Sequence, residues 1–217
     1  KSENLHPIPK AFPEGYARLL PFQLTGAQRR AITESVEDMA GPSPMNRLVQ
    51  GDVGSGKTAV AAALCWAVIQ SGMQAALMAP TEILATQHYH SLNALLEPAH
   101  ITCALLTGSV KAAEKKKIYK ALSDGRIQLV IGTHALISDK VEFQNLGLVI
   151  TDEQHRFGVG QRSALAQKGA SPHLLVMSAT PIPRTLALMV YGDLDISVLD
   201  ELPPGRQKIE TYLIDPA

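Results

Sequence analysis

Short, almost wholly apolar runs alternate with helical patterns along most of this 217-residue chain. The runs are Leu48–Gln50, Ala75–Ala79, Thr102–Leu106, Leu129–Gly132, Leu146–Thr151 and Leu174–Ser178. Between them lie Lys57–Ser71, Glu82–Leu96, Ala112–Ser123, Gly160–Gln167 and Pro183–Met189, each with helical character. Strands that are apolar throughout are those buried on both faces, as in parallel sheets. Strands alternating with helices then predict an α/β domain, a mostly parallel sheet with helices on both faces. Ligands in such domains bind at the carboxyl ends of the strands.

Upstream, Pro7, Pro9, Pro13 and Pro21 mark residues 1–20 as an irregular arm. Thr25 and Gln28 have capping-box spacing and predict a helix over Gly26–Met39. Gly41-Pro42-Ser43-Pro44 predicts a loop. The tail from Asp193 to Ala217, with Pro203-Pro204-Gly205, reads as an exit linker; the domain is taken as 21–200, with linker over 201–217. The chain starts without Met or an apolar signal segment and reads as a piece of a longer protein. The longest apolar run, Val60–Ile69, is too short to span a bilayer. Cys65 and Cys103 are expected as small hydrophobes in a reduced, cytoplasmic protein.

Three segments at strand ends carry chemistry. Gly51-Asp52-Val53-Gly54-Ser55-Gly56-Lys57-Thr58 fits G-x-x-x-x-G-K-[ST], between an apolar run and a helix. Its glycines let backbone amides curl around a phosphate, and the following helix points its positive end at the same anion. Lys57 then reaches the β- and γ-phosphates, and Thr58 binds Mg²⁺. Thr151-Asp152-Glu153-Gln154-His155 ends another run. Its paired carboxylates suit a Walker B site, with Asp152 holding Mg²⁺ and Glu153 orienting the attacking water. An acidic turn capping the next helix is the structural alternative. Ser178-Ala179-Thr180-Pro181 ends a third run, where small hydroxyls either sense the γ-phosphate or cap a helix.

As a set, these segments resemble the first motor domain of superfamily-two helicases, most closely the RecG-type DNA helicases. The resemblance covers roughly Leu20 to the end. It is carried by the phosphate loop together with Ala79-Pro80-Thr81-Glu82-Ile83-Leu84-Ala85, Gly132-Thr133-His134-Ala135 and Asp152-Glu153-Gln154-His155. It extends to Arg156-Phe157-Gly158-Val159-Gly160-Gln161-Arg162, Ala179-Thr180-Pro181-Ile182-Pro183-Arg184-Thr185 and Asp200-Glu201-Leu202-Pro203-Pro204-Gly205-Arg206.

The resemblance implies a RecA-like P-loop NTPase domain using ATP and Mg²⁺, with Lys57, Asp152 and Glu153 as the catalytic set. Gln28 matches the glutamine that reads adenine, with Phe22 near the base; the alternatives are a capping-box partner and a core anchor. Thr81, Glu82, Thr107, Gly108, Thr133 and His134 match segments lining the nucleic-acid groove, although Thr81 also suits a helix N-cap. His155 matches a residue coupling the ATP site to Ser178 and Thr180; its structural alternative is a polar side chain filling a surface turn. The expected partners are branched DNA, such as forks and Holliday junctions met in recombination and repair, a second RecA-like domain and a wedge domain of the same parent chain. No membrane contact is expected, and the protein is expected to be a monomer.

With 20 basic and 20 acidic residues, bulk charge supplies no attraction to DNA. Hydroxyls and loop amides can grip phosphates without it. The lysines at 111, 115, 116, 117 and 120, with Arg126, read as a solvated helix face. Three other readings stay open: a transcription-repair coupling translocase, which shares the Pro181–Thr185 run, a P-loop kinase for a small molecule, and a nucleotide-binding module without catalysis.

Overall fold

The computed structural model describes residues 24–51, 56–152, 164–179 and 195–199. In chain order the elements are α1 (Gly26–Met39), β1 (Asn46–Gly51), α2 (Lys57–Gln70), β2 (Gln74–Met78), α3 (Glu82–Leu96), β3 (Cys103–Leu106), α4 (Ala112–Ser123), β4 (Leu129–Gly132), β5 (Leu146–Asp152), β6 (His173–Ser178) and β7 (Asp195–Leu199). Single 3₁₀ turns lie at Glu97–Ala99 and His134–Ile137. The strands form one sheet in the order β3-β4-β2-β5-β6-β1-β7, and every pairing is parallel.

All six apolar runs become strands, and the helices at 26–39, 57–70, 82–96 and 112–123 match their expected spans to within a residue. Of the remaining two expected helices, Gly160–Gln167 lies half outside the described residues and Pro183–Met189 wholly outside. The arm over 1–20 and the linker over 201–217 also lie outside them.

One expectation is corrected. The tail from Asp193 reads as linker in the sequence, yet Asp195–Leu199 is a strand pairing with β1, Arg47 opposite Asp195 and Gly51 opposite Leu199. A buried arginine anchors it. Arg47 Nη1 donates to Ser197 Oγ at 2.8 Å, and Nη2 lies 3.8 Å from Asp195 Oδ2. The same guanidinium binds Asp38 of α1 through Nε at 3.1 Å and Nη2 at 2.5 Å. The edge strand β7 is thus tied to the first helix.

Alternation along the strands explains why both faces had to be apolar. Ala75, Leu77, Leu129, Ile131, Leu148 and Ile150 face one core with α1, α2 and α3. Ala76, Met78, Val130, Leu146 and Val149 face the opposite core, with Leu122 of α4. Helix α2 is buried on nearly all sides, and its alanines at 59, 61, 62, 63 and 67 permit close approach between the sheet and its neighbours. Cys65 lies in that helix as a free thiol, its pKa raised by burial. Cys103 is likewise free, and burial pushes its thiol up to about 11. Two buried polar side chains are paired across the fold. Gln74 Nε2 donates to Leu122 O at 2.9 Å and Ile127 O at 2.7 Å, while its Oε1 accepts from Asn145 N at 2.9 Å. His173 Nδ1 accepts from Met45 N at 2.9 Å. Among the described residues, no helix is long and apolar enough to cross a membrane.

Candidate functional site

Because the strands are parallel, their carboxyl ends share one edge of the sheet, and the register sorts the candidate residues along it. Gly51 lies opposite Leu199, Gln50 opposite Ser178, and Asp152 opposite Met177. The phosphate-loop strand, the strand ending in Ser178 and the strand ending in Asp152 are therefore consecutive neighbours. On the other side of β5, Met78 lies opposite both Thr151 and Gly132, and Gly132 opposite Leu106. The segments after those strands begin with Ala79, Thr133 and Thr107. One half of the edge holds the predicted nucleotide residues, and the other half holds the predicted nucleic-acid residues.

On the nucleotide half, Gly56 precedes α2 with φ +87°, a left-handed conformation that glycine adopts without strain. Lys57 begins the helix, and its Nζ donates to Gly51 O at 2.5 Å, bringing the amine back over the start of the loop. Thr58 follows in the first turn. Gln28 connects α1 to this loop. Its backbone N donates to Thr25 Oγ1 at 3.1 Å and its Oε1 accepts from Thr25 N at 2.8 Å, a complete capping box. Its Nε2 donates to Gly56 O at 3.3 Å. The capping alternative for Gln28 is thus realised, and the same side chain touches the phosphate loop.

Asp152 ends β5 with only 2% of its surface exposed. Its Oδ2 lies 2.6 Å from His88 Nε2 of α3. A carboxylate only accepts, so the imidazole N–H donates. The sequence motifs do not single out His88, but a signal for it exists. It shares a helical stripe with Ala85, Leu92 and Leu96, all buried against the core, so an imidazole there points inward. The Thr58 hydroxyl and the Asp152 carboxylate are hard oxygen donors of the kind Mg²⁺ takes. Among the described residues no three His, Cys, Asp or Glu side chains converge. Phe22, Asp52, Val53, Gly54, Ser55, Glu153, His155 and Thr180 lie outside the described residues.

On the other half, Thr81 is the N-cap of α3 and accepts from Leu84 N at 3.2 Å. Glu82 accepts from Thr107 Oγ1 at 3.1 Å and also from Ser109 Oγ, fastening the loop after β3 to α3. Thr133 caps the 3₁₀ turn, accepting from Ala135 N at 3.4 Å, and His134 beside it is exposed. The lysine run lies on a solvated face, with the lysines at 111, 116, 117 and 120 and Arg126 exposed and Lys115 half-buried. Lys115 and Lys116 line a cleft of about 650 Å³ with Gly108, Tyr119, His134 and Lys140, and none of its described lining residues is acidic. Finding this cleft requires knowing that α4 packs beside the turn after β4.

A parallel sheet in which the phosphate-loop strand and the strand ending in a buried aspartate flank one intervening strand defines a RecA-like P-loop nucleotide-binding domain. A DEAD/DEAH box helicase model matches residues 25–189, and the chain belongs to that family. It is 61% identical over 196 residues to the ATP-dependent DNA helicase RecG of Aquifex aeolicus, covering 89% of this chain and 25% of that protein. The Bacillus subtilis RecG is 57% identical over 199 residues, covering 92% of this chain and 29% of that protein. The chain thus spans about a quarter of the length of such relatives. A solved structure of RecG bound to a three-way DNA junction superposes with TM-score 0.79 at 47% identity, over 95% of this chain and 29% of that one. The UvsW helicase of bacteriophage T4 shares the fold at TM-score 0.66 and 14% identity, over 89% of this chain and 68% of that one.

Proposed function

We propose that this chain is the ATP-binding lobe of a RecG-type ATP-dependent DNA helicase, which couples ATP hydrolysis to the remodelling of stalled forks and Holliday junctions in recombination and repair. The observation that carries the reading is the ordering of the sheet edge: strands β5, β6 and β1 end in the nucleotide set, while β3, β4 and β2 lead into the nucleic-acid set. A small-molecule kinase has no use for the second half.

Lys57 grips the β- and γ-phosphates, Thr58 and Asp152 hold Mg²⁺, and Glu153 orients the attacking water. Mg²⁺ held by Thr58 and Asp152 would offset the negative charge of the phosphates. Gln28 faces adenine with Phe22 nearby, and Ser178, Thr180 and His155 link the site to the rest of the motor. Thr81, Thr107, Gly108, Thr133 and His134 follow the DNA backbone, with Glu82 fastening their loops, and the cleft with Lys115, Lys116 and Lys140 takes phosphates beyond them. Residues 21–200 make the lobe, 1–20 an arm, and 201–217 a linker toward a second RecA-like domain. A wedge domain of the same parent chain completes a cytoplasmic, monomeric machine.

The test is ATPase and junction unwinding by the full-length protein with forked DNA, alongside Lys57→Ala and Glu153→Gln. DNA-stimulated hydrolysis is expected in the wild type. Lys57→Ala should lose nucleotide binding, and Glu153→Gln should bind ATP without turnover. A wild type that ignores branched DNA, or a Glu153→Gln variant with normal turnover, overturns the reading.

A further inference from the structure

The boundary between the two halves of the sheet edge falls between β2 and β5, and the side chain of His88 crosses it. His88 belongs to α3, the helix that follows β2, and its Nε2–H reaches Asp152 Oδ2 at the end of β5 at 2.6 Å. Both side chains are largely withdrawn from water, with 16% and 3% exposed. The N-terminal turn of the same helix is fastened to the nucleic-acid half, where Glu82 accepts from Thr107 at 3.1 Å and from Ser109. Six residues separate Glu82 from His88, about 9 Å of helix rise. A helix is stiff over that distance, so a displacement of its first turn is carried to His88.

We propose that His88 is a positioning residue for the metal-binding aspartate, and that through α3 it ties the orientation of Asp152 to engagement of the nucleic-acid loops. This rests on the reading of Asp152 as a Mg²⁺ ligand in a DNA-dependent ATPase. The physical argument is geometric. An aspartate at a strand end can rotate about its two side-chain torsions. A donor on one oxygen holds the carboxylate in one rotamer and leaves the other oxygen for the cation and its waters. Outer partners of this kind affect metal affinity by about 10- to 100-fold when removed. His88 performs no proton transfer here and touches no phosphate. Its effect runs through Asp152 alone.

The experiment uses the full-length protein, with Mn²⁺ as the spectroscopic probe of the metal site in the presence of a non-hydrolysable ATP analogue. Mn²⁺ affinity is measured by electron paramagnetic resonance, with and without forked DNA. In His88→Ala it is expected to fall by about 10- to 100-fold, while binding of the analogue in EDTA stays within about twofold of the wild type, since the phosphate loop is untouched. His88→Gln, whose amide N–H can donate to the same oxygen, is expected to recover most of the loss. Forked DNA should shift Mn²⁺ affinity in the wild type, and that shift should disappear in His88→Ala. Unchanged Mn²⁺ affinity in His88→Ala overturns the proposal, and so does an equal loss of analogue binding in EDTA, which marks a packing defect. A wild type in which DNA leaves Mn²⁺ affinity unchanged overturns the coupling. Should His88→Ala fail to fold, His88→Gln and His88→Leu decide: weak Mn²⁺ binding in both, or normal binding in both, overturns the role of the donated hydrogen bond. Wild-type ATPase on forked DNA is run in parallel. Its absence would count against the helicase reading, whereas its presence with normal His88→Ala metal binding counts against His88 only.

Discussion

At Gly56 two demands meet on one residue. Its φ of +87° suits a residue without a side chain, and a Cβ built there would collide with Gln28 Nε2. The phosphate loop and α1 are therefore fitted to each other through Gln28, whose amide also closes the capping box with Thr25. That double employment separates two effects in Gln28→Ala. Thr25 still caps the helix through the backbone N–H of residue 28, and loss of the reciprocal bond from Thr25 N should lower stability by about 1 kcal/mol. If the amide also reads the base, ATP affinity should fall more than GTP affinity, because removing an adenine hydrogen bond leaves the phosphate cradle in place. Thermal melts and competitive nucleotide binding on the full-length protein check both. Equal losses for the two nucleotides would leave Gln28 as a structural link only. The capping box is legible in the sequence because it is local, three residues apart. The hydrogen bond to Gly56 is not, since it joins positions 28 residues apart. Glu82 is a similar case. Its identity within Thr81-Glu82 is legible, but its attachment to the hydroxyls of Thr107 and Ser109 depends on β3 and β2 ending on the same edge.

Elements whose signals are both periodic and buried are readable to within a residue, as in α1 and in β2, where every position is apolar or enclosed. Strand β7 is not. It has five residues, lies at the sheet edge, buries Ser197 and exposes Val198, so polarity along it does not follow burial and its pattern does not mark a strand. Its anchor, Arg47, sits 150 positions away from Ser197. The join between β6 and the segment entering β1 carries a pH dependence. Burial lowers the pKa of His173 from 6.5 to about 4, and the neutral ring accepts from Met45 N. Between those values the unfolded chain binds a proton that the folded chain refuses. The contribution is present in full above pH 6.5 and is lost as pH falls toward about 4, amounting to roughly 2 kcal/mol by about pH 5. Urea melts of the isolated chain at about pH 7 and about pH 5 should show this difference, and His173→Asn should shrink it. An unchanged difference in the variant would assign the acid sensitivity to other groups. Helix α4 makes the DNA prediction. For each phosphate of a duplex that a protein no longer neutralises, the slope of log affinity against log salt falls by about 0.9. Replacing Lys115, Lys116 and Lys140 together by Gln in the full-length protein should therefore reduce that slope by roughly two to three. A slope equal to that of the wild type would leave Lys115 and Lys116 as members of a solvated helix face with no part in DNA binding.

At the scale of the whole molecule, net charge and completeness matter most. A chain with 20 basic and 20 acidic residues has no bulk attraction to DNA, which fits the proposal that its DNA contacts are confined to one edge. That edge also carries the nucleotide residues, and it is the open edge of a single sheet with its own two-sided core. The isolated 217-residue chain is therefore expected to fold cooperatively, because its described helices and strands enclose a hydrophobic core on each face of the sheet. It is also expected to hydrolyse ATP very poorly. Phosphoryl transfer needs charge stabilisation on the transferring group, and an arginine supplied from a second lobe is worth about 10³–10⁵ in rate. A nucleotide on an open sheet edge also leaves much of its surface in water, which weakens affinity compared with a site closed by a second domain. Forked DNA should add little, since a groove formed by one lobe grips only one side of the backbone. The check is steady-state ATPase of the chain beside the full-length protein, each with and without forked DNA, together with a thermal melt of the chain. A cooperative melt with activity at least about 10³-fold below that of the DNA-stimulated parent is the expected result, if the proposed second lobe supplies the arginine. A chain that matches the parent's DNA-stimulated rate would place the whole catalytic constellation within these 217 residues and remove the need for a second lobe.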